Sequence, residues 1–208
     1  MRKCCPAAEI ENISRLRYPH QYQFQCYNLL RKHYYLNQEF IPLFQDIVVW
    51  AKDYLQDNGV SCDAQLSRKF QTLSPSDFGF HNSLRIDEQK IVFLDFEYFG
   101  WDDPAKMVSD FLWHPAMSLS EDLKVYFVRR MRTIFKEDPG FNVRLKSVFP
   151  LFGLKWCLIF LNEFISTESD RRDFASPFKN KTVVRLEQLI KAQTLSAKIK
   201  LMYKDFPY

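Results

Sequence analysis

Three polar residues have the types and spacing that phosphoryl transfer requires. Asn82 follows Asp77 by five residues, and Asp95 comes directly after a short apolar run. This Asp-to-Asn spacing is typical of catalytic loops in which the carboxylate handles a substrate hydroxyl and the amide holds magnesium. A second carboxylate at the end of the next strand is where such enzymes place another magnesium ligand. The three residues can act together only if the fold brings their side chains close to one another.

The residues between Asn82 and Asp95 predict a short β-hairpin. Residues 87–90 are polar and suit a turn, whereas residues 91–94 are apolar and β-branched, as in a buried strand. Asn82 precedes the first strand and Asp95 follows the second, so both should emerge at the open end. Because paired strands lie about 5 Å apart, the two side chains could converge on one hard cation such as Mg²⁺.

The loop between Asp77 and Asn82 contains Gly79, which permits a tight or left-handed turn. Such a turn could bring the Asp77 carboxylate back toward the cation, where it would orient or deprotonate an attacking hydroxyl. A metal-dependent hydrolase using Asp77, Asp95 and Glu97 is a more distant alternative, because the sequence has no spacing of His and carboxylate ligands that suits a metal.

Residues 72–115 resemble the catalytic and metal-binding segment of the aminoglycoside phosphotransferase and choline kinase-like family. The segment LDFEYFG at 94–100 is similar to a choline kinase motif, and SDFGFHN at 76–82 matches the family's catalytic loop at its Asp and Asn. Two positions depart from the pattern: Pro75 replaces the loop His, and Met107 replaces a downstream Asp.

The resemblance implies a function, its cofactors and the roles of individual residues. The function would be transfer of the γ-phosphate of ATP to the hydroxyl of a small molecule, with Mg²⁺. Asp77 would be the catalytic base, Asn82 and Asp95 would be magnesium ligands, and Glu97 would support the metal or an amine substrate. In related kinases the acceptor binds among helices through acidic and aromatic groups, which here makes Trp156 and Glu163 further candidates.

The remaining sequence predicts a mainly α (α+β) fold, with a short catalytic hairpin set among helices. Apolar periodicity and capping signals predict helices over 21–35, 38–56, 103–113, 118–136, 143–165 and 181–204. At the start of the helix predicted over 118–136, Ser118 and Glu121 form a capping-box pattern. This layout corresponds to the C-terminal lobe of a protein-kinase-like fold over 19–208, preceded by a leader or connector over 1–18.

The sequence also lacks the usual residues for gripping nucleotide phosphates. It contains five glycines and neither of the glycine-rich phosphate-binding motifs. The N-terminal β-lobe of a kinase is therefore expected to be absent. The alternative to a kinase is consequently an inactive or partner-dependent kinase lobe that serves as a binding module, with a separate chain supplying the missing lobe.

The composition of the chain limits the classes of protein to which it can belong. The chain has 208 residues, 47% hydrophobic and 16% aromatic, which is enough for one packed domain. Its net charge of +4 is too small to predict nucleic-acid binding. The most apolar stretch, 151–161, is too short to cross a bilayer, so no membrane partner is predicted. Five cysteines without framework spacing predict free thiols, and a cytoplasmic location follows.

Overall fold

A computed structural model describes residues 20–75, 77, 79–97, 99–165 and 180–208, with side chains described from residue 28 onward. The predicted leader over 1–18 lies outside the described residues. Helix accounts for 65% of the structure and strand for 7%, which confirms the predicted mainly α class.

Within the described residues, six α-helices form the body of the structure. They are α1 (His20–Tyr35), α2 (Ile41–Asp57), α3 (Pro104–Trp113), α4 (Glu121–Ile134), α5 (Phe141–Phe160) and α6 (Lys181–Met202). Their positions agree with the predicted helices apart from shifts at their ends, and two connecting turns differ from the prediction. A 3₁₀ turn, Leu161–Phe164, follows α5 where the α-helix was expected to continue. A π-helical turn, Leu36–Phe40, joins α1 to α2 where a break was expected.

The π turn has a local cause in the sequence. Pro42 has no amide hydrogen, so an unbroken ladder of α-helical hydrogen bonds cannot continue through it. The wider turn just before it ends with the Ile41 amide donating to the Leu36 carbonyl. The side chain of Phe40 is thereby buried in the core instead of lying in a loop.

Two apolar clusters form the core, and α5 contributes to both. The first cluster joins the end of α1 and the helices α2, α5 and α6, with Tyr35, Ile47, Leu154, Leu189 and Ile199 fully buried. The second joins α3, α4 and α5. It includes Val108, Val128, Phe141, Leu145 and Phe149. Because Trp113 packs against both clusters, the end of α3 lies at their junction.

The strands in the described part of the chain form two separate two-stranded sheets. Strand β2 (Ser83–Arg85) pairs antiparallel with β3 (Ile91–Phe93), which confirms the predicted hairpin. Strand β1 (Thr72–Ser74) pairs antiparallel with β4 (Gly100–Asp102), a pairing that the sequence did not predict. Residues 75–99, which contain all three candidate catalytic positions, therefore form an excursion whose two ends are held together by β1 and β4.

The hairpin is more exposed than predicted. Residues 91–94 were expected to form a buried strand, but Ile91 is 48% and Leu94 43% exposed. Leu84 and Ile86 on the other strand are also exposed. The expectation failed because no described helix packs over this sheet, so the apolar run has no core to enter. Leu84 pairs with Val92, so Leu84, Ile86, Val92 and Leu94 lie on one face of the sheet and Ile91 lies on the other. We call the exposed side chains of Leu84, Ile86, Val92 and Leu94 the hairpin surface.

Helix caps account for several polar residues near the site. Asp103 accepts a hydrogen bond from the Ala105 amide (2.8 Å), and Pro104 occupies the first turn of α3, as the sequence predicted. The cap of α4 was predicted two residues too early. Ser120, rather than Ser118, accepts from the Leu123 amide, while Ser118 has a left-handed backbone with φ 45°. Its conformation places Ser118 in the loop before the helix.

The segment Phe141–Phe164 is long and apolar enough to cross a membrane, judged by its length and composition alone. This differs from the sequence expectation, which considered only residues 151–161. In the structure 44% of the tested window is buried inside the molecule, as in the core helix of a soluble protein. The segment is therefore weak evidence for a membrane span.

Candidate functional site

Asp77 and Asn82 are held together by direct hydrogen bonds. The Asn82 Nδ2 atom donates to the Asp77 main-chain oxygen (3.0 Å) and to its carboxylate Oδ2 (3.1 Å). A 3₁₀ turn, Phe80–Asn82, returns the chain, and the Asn82 amide donates to the Gly79 carbonyl (3.1 Å). Because the amide nitrogen of Asn82 is engaged, its Oδ1 atom is the side-chain group left to act as a ligand.

Asn82 and Asp95 lie at the open end of the hairpin, as predicted. Ser83 is paired with Phe93, and the Leu94 amide donates to the Asn82 carbonyl (2.8 Å). Asp95 follows immediately and has a left-handed backbone with φ 60°. A non-glycine residue in this region is uncommon and costs conformational energy, and such residues concentrate at functional sites. Asp95 is therefore an unusual residue on geometric grounds, independently of its sequence context.

Gly79 is required for a different reason from the one predicted. The sequence predicted a tight or left-handed turn here. The φ of Gly79, 174°, is ordinary extended backbone, which excludes the left-handed turn, and a tight 3₁₀ turn, Phe80–Asn82, follows the glycine. A Cβ atom at this position would lie 2.6 Å from the His81 ring and 2.7 Å from Met117 Sδ. The glycine therefore allows the loop to approach Met117 closely, and the Phe80 amide also contacts this sulfur (3.2 Å).

Two histidines lie against Asp77. His81 Nε2 is 3.0 Å and His114 Nε2 is 3.7 Å from the same Asp77 Oδ1 atom. The two imidazole rings are stacked, with centroids 3.8 Å apart and planes 4° apart. The spacing of His81, four residues after Asp77, could have suggested this contact. His114 lies far along the chain and gives no local signal.

The contacts of His114 fix its tautomer. Its Nδ1 atom accepts a hydrogen bond from the Ala116 amide (3.1 Å), so in the neutral ring the proton is on Nε2, facing Asp77. Burial lowers the pKa of His114 below its ordinary value, and neighbouring His81 lowers it further, while the charge of Asp77 opposes the shift. The neutral ring is thus the favoured form near pH 7.

The described residues contain one group of three metal-ligand side chains with ligand atoms within 4.8 Å of one another: Asp77, His81 and His114. Its geometry does not fit a shared ion, because an imidazole binds a metal along a lone pair in its ring plane, and two parallel stacked planes cannot both contain one ion. His114 Nε2 also carries the proton. Asp95 and Glu97 do not join this group, so the hydrolase alternative gains no support.

The oxygen donors at the hairpin end suit Mg²⁺ better. Mg²⁺ prefers one or two carboxylates with neutral oxygens, leaving positions for water and phosphate. The free Oδ1 of Asn82 and the exposed carboxylate of Asp95 supply such a set. The residues present therefore fit a magnesium ion, without any contribution from the two imidazoles.

The remaining sequence candidates are distributed around this centre. Trp156 packs edge-on against His114, with ring centroids 4.5 Å apart, so it lies one side chain away from Asp77. Its Nε1 atom is buried without a hydrogen-bond partner among the described residues. Glu163 lies in the 3₁₀ turn beyond α5, and Glu97 is exposed after the hairpin. Tyr98 lies outside the described residues.

Acidic residues downstream of the hairpin have structural partners. Asp103 pairs with Arg144 (2.7 Å), which also pairs with Asp138 (2.6 Å). Asp110 pairs with Lys155, and Asp102 pairs with Lys106. These ion pairs hold α3 to α5 and stabilise its first turns. These ion pairs account for the acidic residues downstream of the hairpin without a catalytic role.

Comparison with protein-family models, with curated proteins and with solved structures finds no match to this chain. The kinase-like resemblance consequently rests on the motifs in the sequence.

Proposed function

We propose that this chain carries the acceptor-side half of a small-molecule phosphotransferase. The observation that supports this most directly is the Asp77–Asn82–Asp95 arrangement. Asn82 bonds to Asp77 on one side, and the register of the hairpin brings it beside Asp95 on the other. One carboxylate is thus placed next to a pair of oxygen donors that suit Mg²⁺.

The residues divide into two roles in this reaction. The Asp77 carboxylate, half exposed, accepts the proton of an acceptor hydroxyl and orients its oxygen, while His81 and Asn82 fix the carboxylate by donating to it. Asn82 Oδ1 and Asp95 would hold Mg²⁺. When bound, this ion would neutralise charge on the phosphates of ATP.

The chemical balance of the proposed step is that of a kinase. A bond forms between the acceptor oxygen and the γ-phosphorus of ATP, and the bond from that phosphorus to the bridging oxygen breaks. The hydroxyl proton passes to Asp77, and the products are ADP and a phosphate monoester.

The test uses paramagnetic Mn²⁺–ATP, which reports even weak binding. Titration into isotopically labelled protein should broaden the amide signals of Asn82 and Asp95 selectively, relative to diamagnetic Mg²⁺–ATP. Asp95→Asn should weaken this effect at least about tenfold, because even partners of metal ligands contribute about 10- to 100-fold to affinity. Asp77→Asn should leave it in place, since Asp77 is assigned to the acceptor.

Glu88→Gln is the matched control, because Glu88 is an exposed carboxylate in the turn of the same hairpin. It should broaden like the natural protein. Uniform broadening over the surface, or equal broadening in Asp95→Asn, would exclude the assigned magnesium site.

A second candidate is a lobe that acts only with a partner. The hairpin surface is exposed next to the proposed metal ligands, and Phe96, Phe99 and Trp101 beside it are each about half exposed. Exposed apolar side chains gathered in this way are typical of an interaction site. A β-rich lobe supplied by a separate chain, covering this patch and gripping the nucleotide, would complete the enzyme.

A further inference from the structure

A cavity of about 470 Å³ lies between the end of α3, the loop that follows it, the end of α5 and one face of α6. None of the described residues that line it is Asp or Glu. Its polar lining includes three lysines, Lys124, Lys191 and Lys198. The cavity is thus electropositive, although the chain as a whole is only weakly basic.

The cavity adjoins the proposed catalytic carboxylate. His114 forms part of its wall and lies 3.7 Å from Asp77 Oδ1. Met117 also lines it, and its sulfur contacts the Phe80 amide in the loop that carries Asp77. A molecule in the cavity would therefore be separated from Asp77 by one imidazole ring.

Two lysines of α6, Lys191 and Lys198, line this cavity. Lys191 and Lys198 are seven residues apart, so they lie on one face of the helix, with Thr194 between them on the same wall. Among the described residues neither has a carboxylate within ion-pairing distance. Lys198 lies over the ring of Trp113, at 5.9 Å from its centroid. Lys124 differs, because it is already paired with Glu121 (2.8 Å).

The rest of the lining is apolar. Leu112, Trp113, Phe160 and Leu195 supply hydrocarbon and aromatic surface. A ligand that matches both features has an apolar body and an anionic group. Glu121, just outside the lining, offsets part of the charge of Lys124 and Lys198. The lining itself has three lysines and no acidic side chain, so an amine would still meet like charge there, which is destabilising.

We propose that this cavity binds the acceptor and that the acceptor is an anionic amphiphile, such as a hydroxylated carboxylate with an apolar chain. Lys191 and Lys198 hold the anionic group, and the chain presents its hydroxyl past His114 to Asp77. The assignment of the ligand as the acceptor rests on the proposed phosphotransferase function. It departs from the amine acceptor that the family resemblance suggests.

The test compares two probes with the same chain and opposite charge, 10-hydroxydecanoate and 10-aminodecan-1-ol. Binding to the full chain is measured by isothermal titration without ATP or Mg²⁺, so that the result does not depend on phosphoryl transfer. The carboxylate should bind at least about tenfold more tightly than the amine. The double substitution Lys191→Gln/Lys198→Gln should remove that preference.

The matched control is Lys200→Gln/Lys204→Gln, which removes the same charge near the end of α6 outside the cavity lining. It should keep the preference. Equal affinity for the two probes, tighter binding of the amine, or equal effects of both double substitutions would overturn the proposal. Charge-selective binding combined with failure of the Mn²⁺–ATP test would retain the anionic site and reject the phosphotransferase.

Discussion

At the scale of single residues, the centre of the site is one carboxylate oxygen facing two imidazoles. His81 and His114 approach the same Oδ1 atom of Asp77, and Asn82 holds the other oxygen. Such contacts hold a carboxylate in one orientation, which is what the proposed transfer of a hydroxyl proton to Asp77 needs. The histidines therefore act by positioning Asp77.

The protonation of His114 gives a pH prediction. Because the pKa of His114 is lowered in the folded protein from 6.5, the unfolded chain binds more protons than the folded one below about pH 6.5. The free energy of unfolding should therefore fall as pH is lowered from about 7.5 to about 5.5. Urea denaturation across this range measures the slope.

His114→Asn tests the origin of that slope, since its amide oxygen can replace the Nδ1 atom that accepts from Ala116. The substitution should flatten the dependence on pH. His33→Asn is the matched control, because it makes the same replacement of histidine by asparagine at an exposed position in α1. An unchanged slope in His114→Asn would show that another group causes it.

At the scale of elements, the sequence predicts the helices well and the small sheets poorly. Helical periodicity extends over many residues, so several independent apolar positions specify each helix. Strand β4, Gly100–Asp102, has three residues and pairs with β1 across a long excursion, so no local pattern marks it. The N-cap of α4 was predicted at Ser118 instead of Ser120 because both serines precede the helix. Only the left-handed backbone of Ser118, with φ 45°, distinguishes it from the capping residue, and the sequence does not show this.

The same distinction applies to the site. Asn82 and Asp95 are brought together by a local hairpin, which sequence can anticipate. The contact of His114 with Asp77 depends on how α3 packs against the loop, and the cavity depends on α6, which is distant in sequence from both. Tertiary packing decides these features, and neither the composition of the sequence nor the spacing of its residues predicts that packing.

A close contact between helices gives a stability prediction. A Cβ atom on Gly153 in α5 would lie 2.7 Å from Ile199 Cδ1 and 2.9 Å from Trp113 Cε2. Trp113 is fixed by its hydrogen bond to the Phe149 carbonyl (2.8 Å), so it cannot readily move away. Overpacking costs about 1–3 kcal/mol, which exceeds the gain of up to about 1 kcal/mol from replacing a helical glycine by alanine.

Gly153→Ala should therefore lower the free energy of unfolding by about 1 kcal/mol, measured by urea denaturation. Gly100→Ala is the control, because no atom lies within 4 Å of a Cβ built there. Its effect should stay within about 0.5 kcal/mol. A stabilised Gly153→Ala protein would mean that α5 and α6 have room to separate.

At the scale of the whole molecule, apolar side chains are unevenly distributed. The helical body buries two clusters around α5, whereas the hairpin surface lies open. A short sheet with unpaired edges and exposed apolar residues favours association with another chain. The purified chain should therefore use this surface to self-associate.

The double substitution Leu84→Lys/Ile86→Lys tests this. Both side chains are more than half exposed, at 54% and 60%, so adding charge should raise the monomer fraction in sedimentation velocity. The free energy of unfolding should change by no more than about 0.5 kcal/mol. Ile134→Lys, which charges an equally exposed isoleucine on α4, should leave association unchanged. Equal effects of the two variants would assign the association to general hydrophobicity.

The position of α5 has a consequence for how the protein unfolds. One helix supplies Leu145 and Phe149 to one cluster and Leu154 and Cys157 to the other, so neither cluster can lose its packing while the other keeps it. The helical body therefore behaves as a single cooperative unit with one transition. A ligand bound between α3, α5 and α6 would stabilise that whole unit, and its affinity could be obtained from the shift of one melting curve.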